Sequence, residues 1–283
     1  MDRGNAARLI LATLLAASIG ASAARSETLM LGGRTVIVEP PSSYCALDPA
    51  RPAEADLIAF NEKMQQPRNH VVMQLANCDE LADFRAGKRE SFDRYGQIFT
   101  AASDDAVKSV VGYSRAEFLT EAARELPKLD SGPLIDEVTN KLRQTAGSDV
   151  SGIRFLGVLK QDGSGIYFGV AIGDTPLANQ PVASTMGVVG LTLVNQVSVS
   201  LGLYQINVGP EAMPGLLATV QQTLATLVQA NVETEAREAS GWFWYGFDLE
   251  GIARGALIGG LIVAAIGLAG WLVSRRRKNR AGK

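Results

Sequence analysis

The chain has 283 residues with 27 basic and 29 acidic groups, a single histidine and two cysteines. Setting aside the two arginines and one aspartate of residues 1–23 and the seven basic groups of residues 254–283, the stretch between keeps 18 basic and 28 acidic groups, a net −10. A surface of that sign is repelled by phosphate backbones and anionic lipid, which excludes nucleic acid as a partner of this part. One histidine, and two cysteines with neither zinc nor C-x-x-C spacing, exclude the common metal and thiol-exchange chemistries.

In chain order, Arg3 and Arg8 precede an apolar run from Leu9 to Ile19 and the small residues Ala21, Ser22 and Ala23. That run is too short to span comfortably and ends in a small-x-small pattern, so residues 1–23 read as a cleaved secretory signal. Thr28 to Leu31 and Arg34 to Glu39 flank Gly32-Gly33 as a hairpin, stopped by Pro40 and Pro41. Asp48 before Pro49 predicts a capped helix start, with Leu57, Ile58, Phe60 and Met64 along one stripe and Pro67 as its end. His70 to Ala76 reads as a buried strand and Asp79 to Ala86 as a short helix. Cys45 and Cys78 both lie in the exported part, where an oxidising compartment permits a disulfide. Closing that loop of roughly 34 residues stabilises a fold by about 3 to 4 kcal/mol on the chain-entropy model.

Tyr95 to Ala101 is a further strand, and Ser103 and Ser114 each look like helix caps; Ser114 to Glu117 fits the S-x-x-E capping box. Pro127 ends that helix, and Pro133 opens another that runs to about Ala146. From Ser151 the hydrophobic period changes from helical to alternating. Ile153 to Leu159 and Ile166 to Ile172 flank an Asp162 to Gly165 turn, and Val188 to Val194 and Val197 to Ile206 flank Asn195-Gln196. On the last strand Val197, Val199, Leu201 and Leu203 point one way, towards the core, while Ser198, Ser200, Gly202 and Tyr204 form a small, polar second face. Pro210 to about Ala236 then reads as a long helix with Leu216, Val220, Leu224 and Leu227 on its apolar side.

After the aromatic cluster Trp242, Phe243, Trp244, Tyr245 and Phe247, Gly255 to Val273 carries no charge and is followed by Arg275, Arg276, Arg277, Lys278 and Arg280. Nineteen helical residues make roughly 28 Å, the thickness of a bilayer core. Basic flanks stay on the cytoplasmic side, which puts the bulk of the chain outside. The expected organisation is a signal peptide (1–23), an exported α+β domain (24–239), an aromatic joint (240–250), one transmembrane helix (251–274) and a basic cytoplasmic tail (275–283). No asparagine starts an N-x-[ST] acceptor, which with the short signal favours a bacterial inner membrane with the domain in the periplasm. Within the span Ala256, Gly260, Ala264 and Gly267 lie along one side, a strip on which a second helix approaches closely, from a second copy of the chain or another membrane protein.

No residue pattern carries chemistry. His70 has no G-x-S-x-G elbow to serve, Asp130-Ser131-Gly132 reads as a turn, and the glycines of the strand region form neither a dinucleotide nor a phosphate loop. No catalytic, cofactor-binding or metal-ligating residue is assigned. The order of elements predicts an α+β fold, a mainly antiparallel sheet flanked by helices. It is similar to the PsbP/Mog1 arrangement, a likeness of fold that implies no function. The expected function is a membrane-anchored periplasmic binding or interaction module; an envelope hydrolase with a site assembled from distant residues and an assembly subunit of a membrane complex are the alternatives.

Overall fold

The computed structural model describes residues 26–103, 106–107, 109–146, 152–175, 183–231 and 249–281. The expected signal sequence (1–23), the aromatic cluster of the expected joint and the final two residues lie outside them. Strands β1 (Glu27–Leu31) and β2 (Arg34–Val38) form the expected hairpin as a small separate sheet. Gly32 and Gly33 both take positive φ, the requirement of a tight two-residue hairpin turn. The remaining strands build one antiparallel sheet: β3 (Tyr44–Ala46), β4 (Asn69–Asn77), β5 (Arg94–Ser103), β6 (Ala106–Val107), β7 (Ile153–Gln161), β8 (Ile166–Thr175), β9 (Ala183–Val194) and β10 (Val197–Ile206). Its spatial order is β3-β4-β5-β10-β9-β8-β7, with β6 folded back on β5. The helices are α1 (Pro52–Gln65), α2 (Cys78–Arg85), α3 (Arg115–Glu125), α4 (Ser131–Ala146), α5 (Met213–Ala230) and α6 (Leu249–Ala281).

Alternation in β10 decides the layers. Val197, Val199, Leu201 and Leu203 face α5 and the β1–β2 hairpin, as the period of two demands. The opposite face, with Ser198, Ser200, Gly202 and Tyr204, is buried as well. Its cover is α6, which lies against β5, β8, β9 and β10 and is itself packed by α1, α3 and α4. The fold is thus α+β with an antiparallel sheet between helices, plus one long apolar helix of membrane-spanning length.

Local expectations fail in identifiable places. Helix α1 starts at Pro52, not at Pro49, because Asp48 turns its carboxylate to Arg51 and to its own loop instead of capping. Ser103 ends β5 and caps no helix; the chain hairpins into β6. His70 is exposed on β4, opposite Thr100, not buried. The capping box at Ser114 is present in both directions.

Candidate functional site: the seat of the C-terminal helix

The sheet face under α6 is shaped by what it lacks. A Cβ on Gly187 or Gly202 would come within 2.3 Å of Tyr204, so these two glycines allow its side chain to lie flat across the strands. Tyr204 pairs with Tyr95 in register, and the two rings stack at 5.4 Å. Phe99, four residues along β5 from Tyr95, and Val189 on β9 complete an aromatic and aliphatic floor. Burial, and for Tyr95 also the neighbouring Tyr204, push both phenols well above their ordinary range, so neither ionises under physiological conditions.

Three side chains donate to the backbone of α6. Tyr95 Oη reaches the carbonyl of Ala264 at 2.7 Å, Gln65 Nε2 that of Gly259 at 3.1 Å, and Asn69 Nδ2 that of Gly255 at 3.0 Å. The carbonyls of Gly255 and Gly259, one turn apart, lie on one side of the helix, and that of Ala264, five residues further, lies about 140° round from them, so the donors hold α6 from two sides. Each uses the second lone pair that a helical carbonyl keeps after its own i+4 bond. The amides are chained behind them: Asn69 Nδ2 also donates to Gln65 Oε1 and Gln65 Nε2 to Gln97 Oε1.

The helix is cut to match. A Cβ at Gly259 would meet the Phe99 ring at 2.5 Å, one at Gly260 the Val189 side chain at 2.6 Å, and one at Gly267 the Tyr95 ring at 1.9 Å. Ala256 and Ala264 are buried. The four small residues singled out in the sequence, Ala256, Gly260, Ala264 and Gly267, therefore all have neighbours within their own chain. Not every polar atom beneath the helix is satisfied: Asn69 Oδ1, Gln97 Nε2 and Tyr204 Oη are buried without a hydrogen-bond partner. What this surface does chemically is recognise the backbone of an apolar helix. The side chains that bind α6 are two amides and a phenol, all neutral.

Other polar clusters tie the elements of the domain together. Cys45 and Cys78 form a disulfide that ties β3 to the start of α2, beside the Tyr44 to Asn77 pairing. Glu54, almost fully enclosed in α1, receives both arms of the Arg85 guanidinium at 2.8 Å and the backbone N–H of Asp48. Burial alone would raise its pKa; those bonds outweigh burial and hold it below the usual carboxylate range. Glu80 gathers Arg89 and Arg94 at 3.0 and 2.9 Å. At the β7–β8 turn Asp162 accepts from Ser164 N, Gly165 N, Tyr167 Oη and Gln221 Nε2, fastening that turn to α5. Among the described residues no group of three or more His, Cys, Asp or Glu could hold a metal ion.

Sequence reasoning finds the small-polar face of β10 but not its use, and it misses Gln65, Asn69, Gln97 and the role of Tyr95. The available signal is the coincidence of a polar strand face, in-strand glycines and an apolar helix lacking any polar side. Compared with protein-family models, curated proteins and solved structures, the chain matches none.

Proposed function

We propose that the chain is a membrane-anchored binding or interaction module: an exported α+β domain (24–239) joined through residues 240–250 to a single C-terminal span (251–274) with a basic cytoplasmic tail (275–283). The observation that carries the anchoring is α6, whose window Leu249–Gly267 has a mean hydropathy of 1.7 and the length to cross a bilayer. The basic run after Val273 supports a cytoplasmic C-terminus and the signal-like residues 1–23 support export, here to a bacterial periplasm. The sheet face described above supports binding, because its donors are arranged to take hold of a helix. Ala256, Gly260, Ala264 and Gly267 offer the span a surface for a second copy or another membrane protein.

The test is topological. A reporter fused after Lys283 should be active only in its cytoplasmic form, and the mature chain should resist carbonate extraction. A periplasmic signal from that fusion, or release by carbonate, overturns the assignment.

A further inference from the structure

The two environments open to α6 exclude each other. A window that is 72% enclosed by its own domain cannot at the same moment be surrounded by lipid. We infer that the sheet face carrying Tyr95, Phe99, Val189 and Tyr204 is a binding seat for an apolar helix, that α6 is its resident occupant, and that seat and bilayer compete for α6. The inference rests on reading α6 as a membrane helix, and it adds a second, protein-bound state of that helix.

Both partners are built for the docked state. Gln65, Asn69 and Tyr95 come from α1, β4 and β5, yet all three donate to backbone carbonyls of α6 and hold it from two sides. Glycine occupies the three positions where any side chain would strike Phe99, Val189 or Tyr95. An accidental collapse of an oily helix on a sheet would satisfy the apolar surfaces without this register of carbonyls and donors. The bilayer nevertheless offers α6 equal apolar burial, since lipid tails are as apolar as leucine. The balance therefore turns on the specific contacts, and these pull both ways. Three hydrogen bonds and close packing hold the helix in its seat, while the unpartnered Tyr204 Oη, Gln97 Nε2 and Asn69 Oδ1 beneath it favour departure. Once α6 leaves, the floor and the facing sides of α1, α3 and α4 lose their common neighbour. The emptied cleft then fits another helix of the same kind, apolar and with small residues one turn apart.

A thiol placed in the floor reports occupancy. The native cysteines are joined to each other, so in the full chain carrying Val189→Cys only the new thiol reacts with a maleimide. Val189 lies under Gly260, and Val199, equally buried on the opposite face, supplies Val199→Cys as the unfolding control. With phosphatidylethanolamine/phosphatidylglycerol vesicles present, labelling of the Val189→Cys chain should accelerate roughly tenfold or more, the effect of losing contacts worth one or two hydrogen bonds, while the Val199→Cys chain stays slow. Removing donors by Gln65→Leu with Asn69→Leu should raise the vesicle-bound fraction several-fold. Continued protection of the floor thiol in Val189→Cys chains that float with vesicles and resist carbonate overturns the competition while leaving the anchor intact. Failure to float at all overturns the anchor, and the competition with it. An unchanged vesicle-bound fraction in the donor variant overturns the specific seat.

Discussion

The two long helices on either side of the sheet solve opposite problems. Helix α5 buries Leu216, Val220, Leu224 and Leu227 on the apolar face made by Val188, Leu201, Leu203 and Tyr167, and turns residues such as Gln222 and Ala225 to water. It is amphipathic, as a surface helix must be. Helix α6 has no such division from Ile252 to Ile266: apart from Arg254, each residue there is buried. It requires shelter on every side. One helix is held by matching an apolar stripe to an apolar face, the other by packing on an aromatic and aliphatic floor together with hydrogen bonds to its backbone from Gln65, Asn69 and Tyr95. A helix of the second kind is equally at home in a protein interior and in a membrane, and its hydropathy alone does not separate the two.

Lipid can shelter all nine Leu, Ile and Val residues of Gly255 to Val273, and the domain buries those up to Ile266. The hydrogen bonds from Gln65, Asn69 and Tyr95, at about 1 kcal/mol each, add to the protein side.

The comparison breaks most visibly under truncation. Leu224→Ala under α5 and Leu261→Ala in α6 should each cost about 2 to 5 kcal/mol in denaturant unfolding without lipid. Adding vesicles should leave the Leu224→Ala loss unchanged and shrink the Leu261→Ala loss; equal responses would remove the distinction. Overpacking comes next. Gly260→Ile meets Val189 in the seat and should destabilise the lipid-free fold by about 1 to 3 kcal/mol. It should also raise the membrane-bound fraction, and if the small-residue strip pairs spans it should weaken self-association in a membrane two-hybrid assay.

Acid sharpens the contrast. Burial raises the Asp162 pKa, but the bonds from Gln221, Ser164, Tyr167 and Gly165 outweigh it and leave the carboxyl below its ordinary value. A carboxylate lowered by folding contributes stability that is complete above the unfolded value of about 4 and disappears as pH falls through the native one. Asp162→Asn should flatten that part of the acid limb of a stability curve. The donors to α6 are amides and a phenol and contribute no slope there. The smallest expected effect is Gln221→Leu, about 0.5 to 1.5 kcal/mol, felt on the α5 side alone.

Much of this fold is legible because local rules and global packing agree. The Gly32-Gly33 hairpin, the Ser114 capping box and the apolar stripe of α5 all follow from turn chemistry and periodicity. Asp48 and Ser103 mislead because a polar residue before a polar stretch suits a cap and a loop equally well. His70 misleads because the hydrophobic run around it hides the alternation that sends its side chain to solvent. The seat is illegible for a different reason. Gln65 and Asn69 sit about 190 residues before the carbonyls they hold, Gln65 in α1 and Asn69 in β4, and an amide side chain gives no sign of its partner until the chain is folded. The disulfide is within reach because two cysteines allow only one pairing.

The central claim is that α6 has two seats, and a distance measurement reads it directly. Spin labels at Ala225→Cys on the outer side of α5 and Arg254→Cys at the exposed start of α6 span the sheet. The account predicts one narrow distance distribution for the lipid-free chain and a second, displaced population when vesicles are added, growing with lipid. A single unshifted distribution in chains that are firmly vesicle-bound would contradict it.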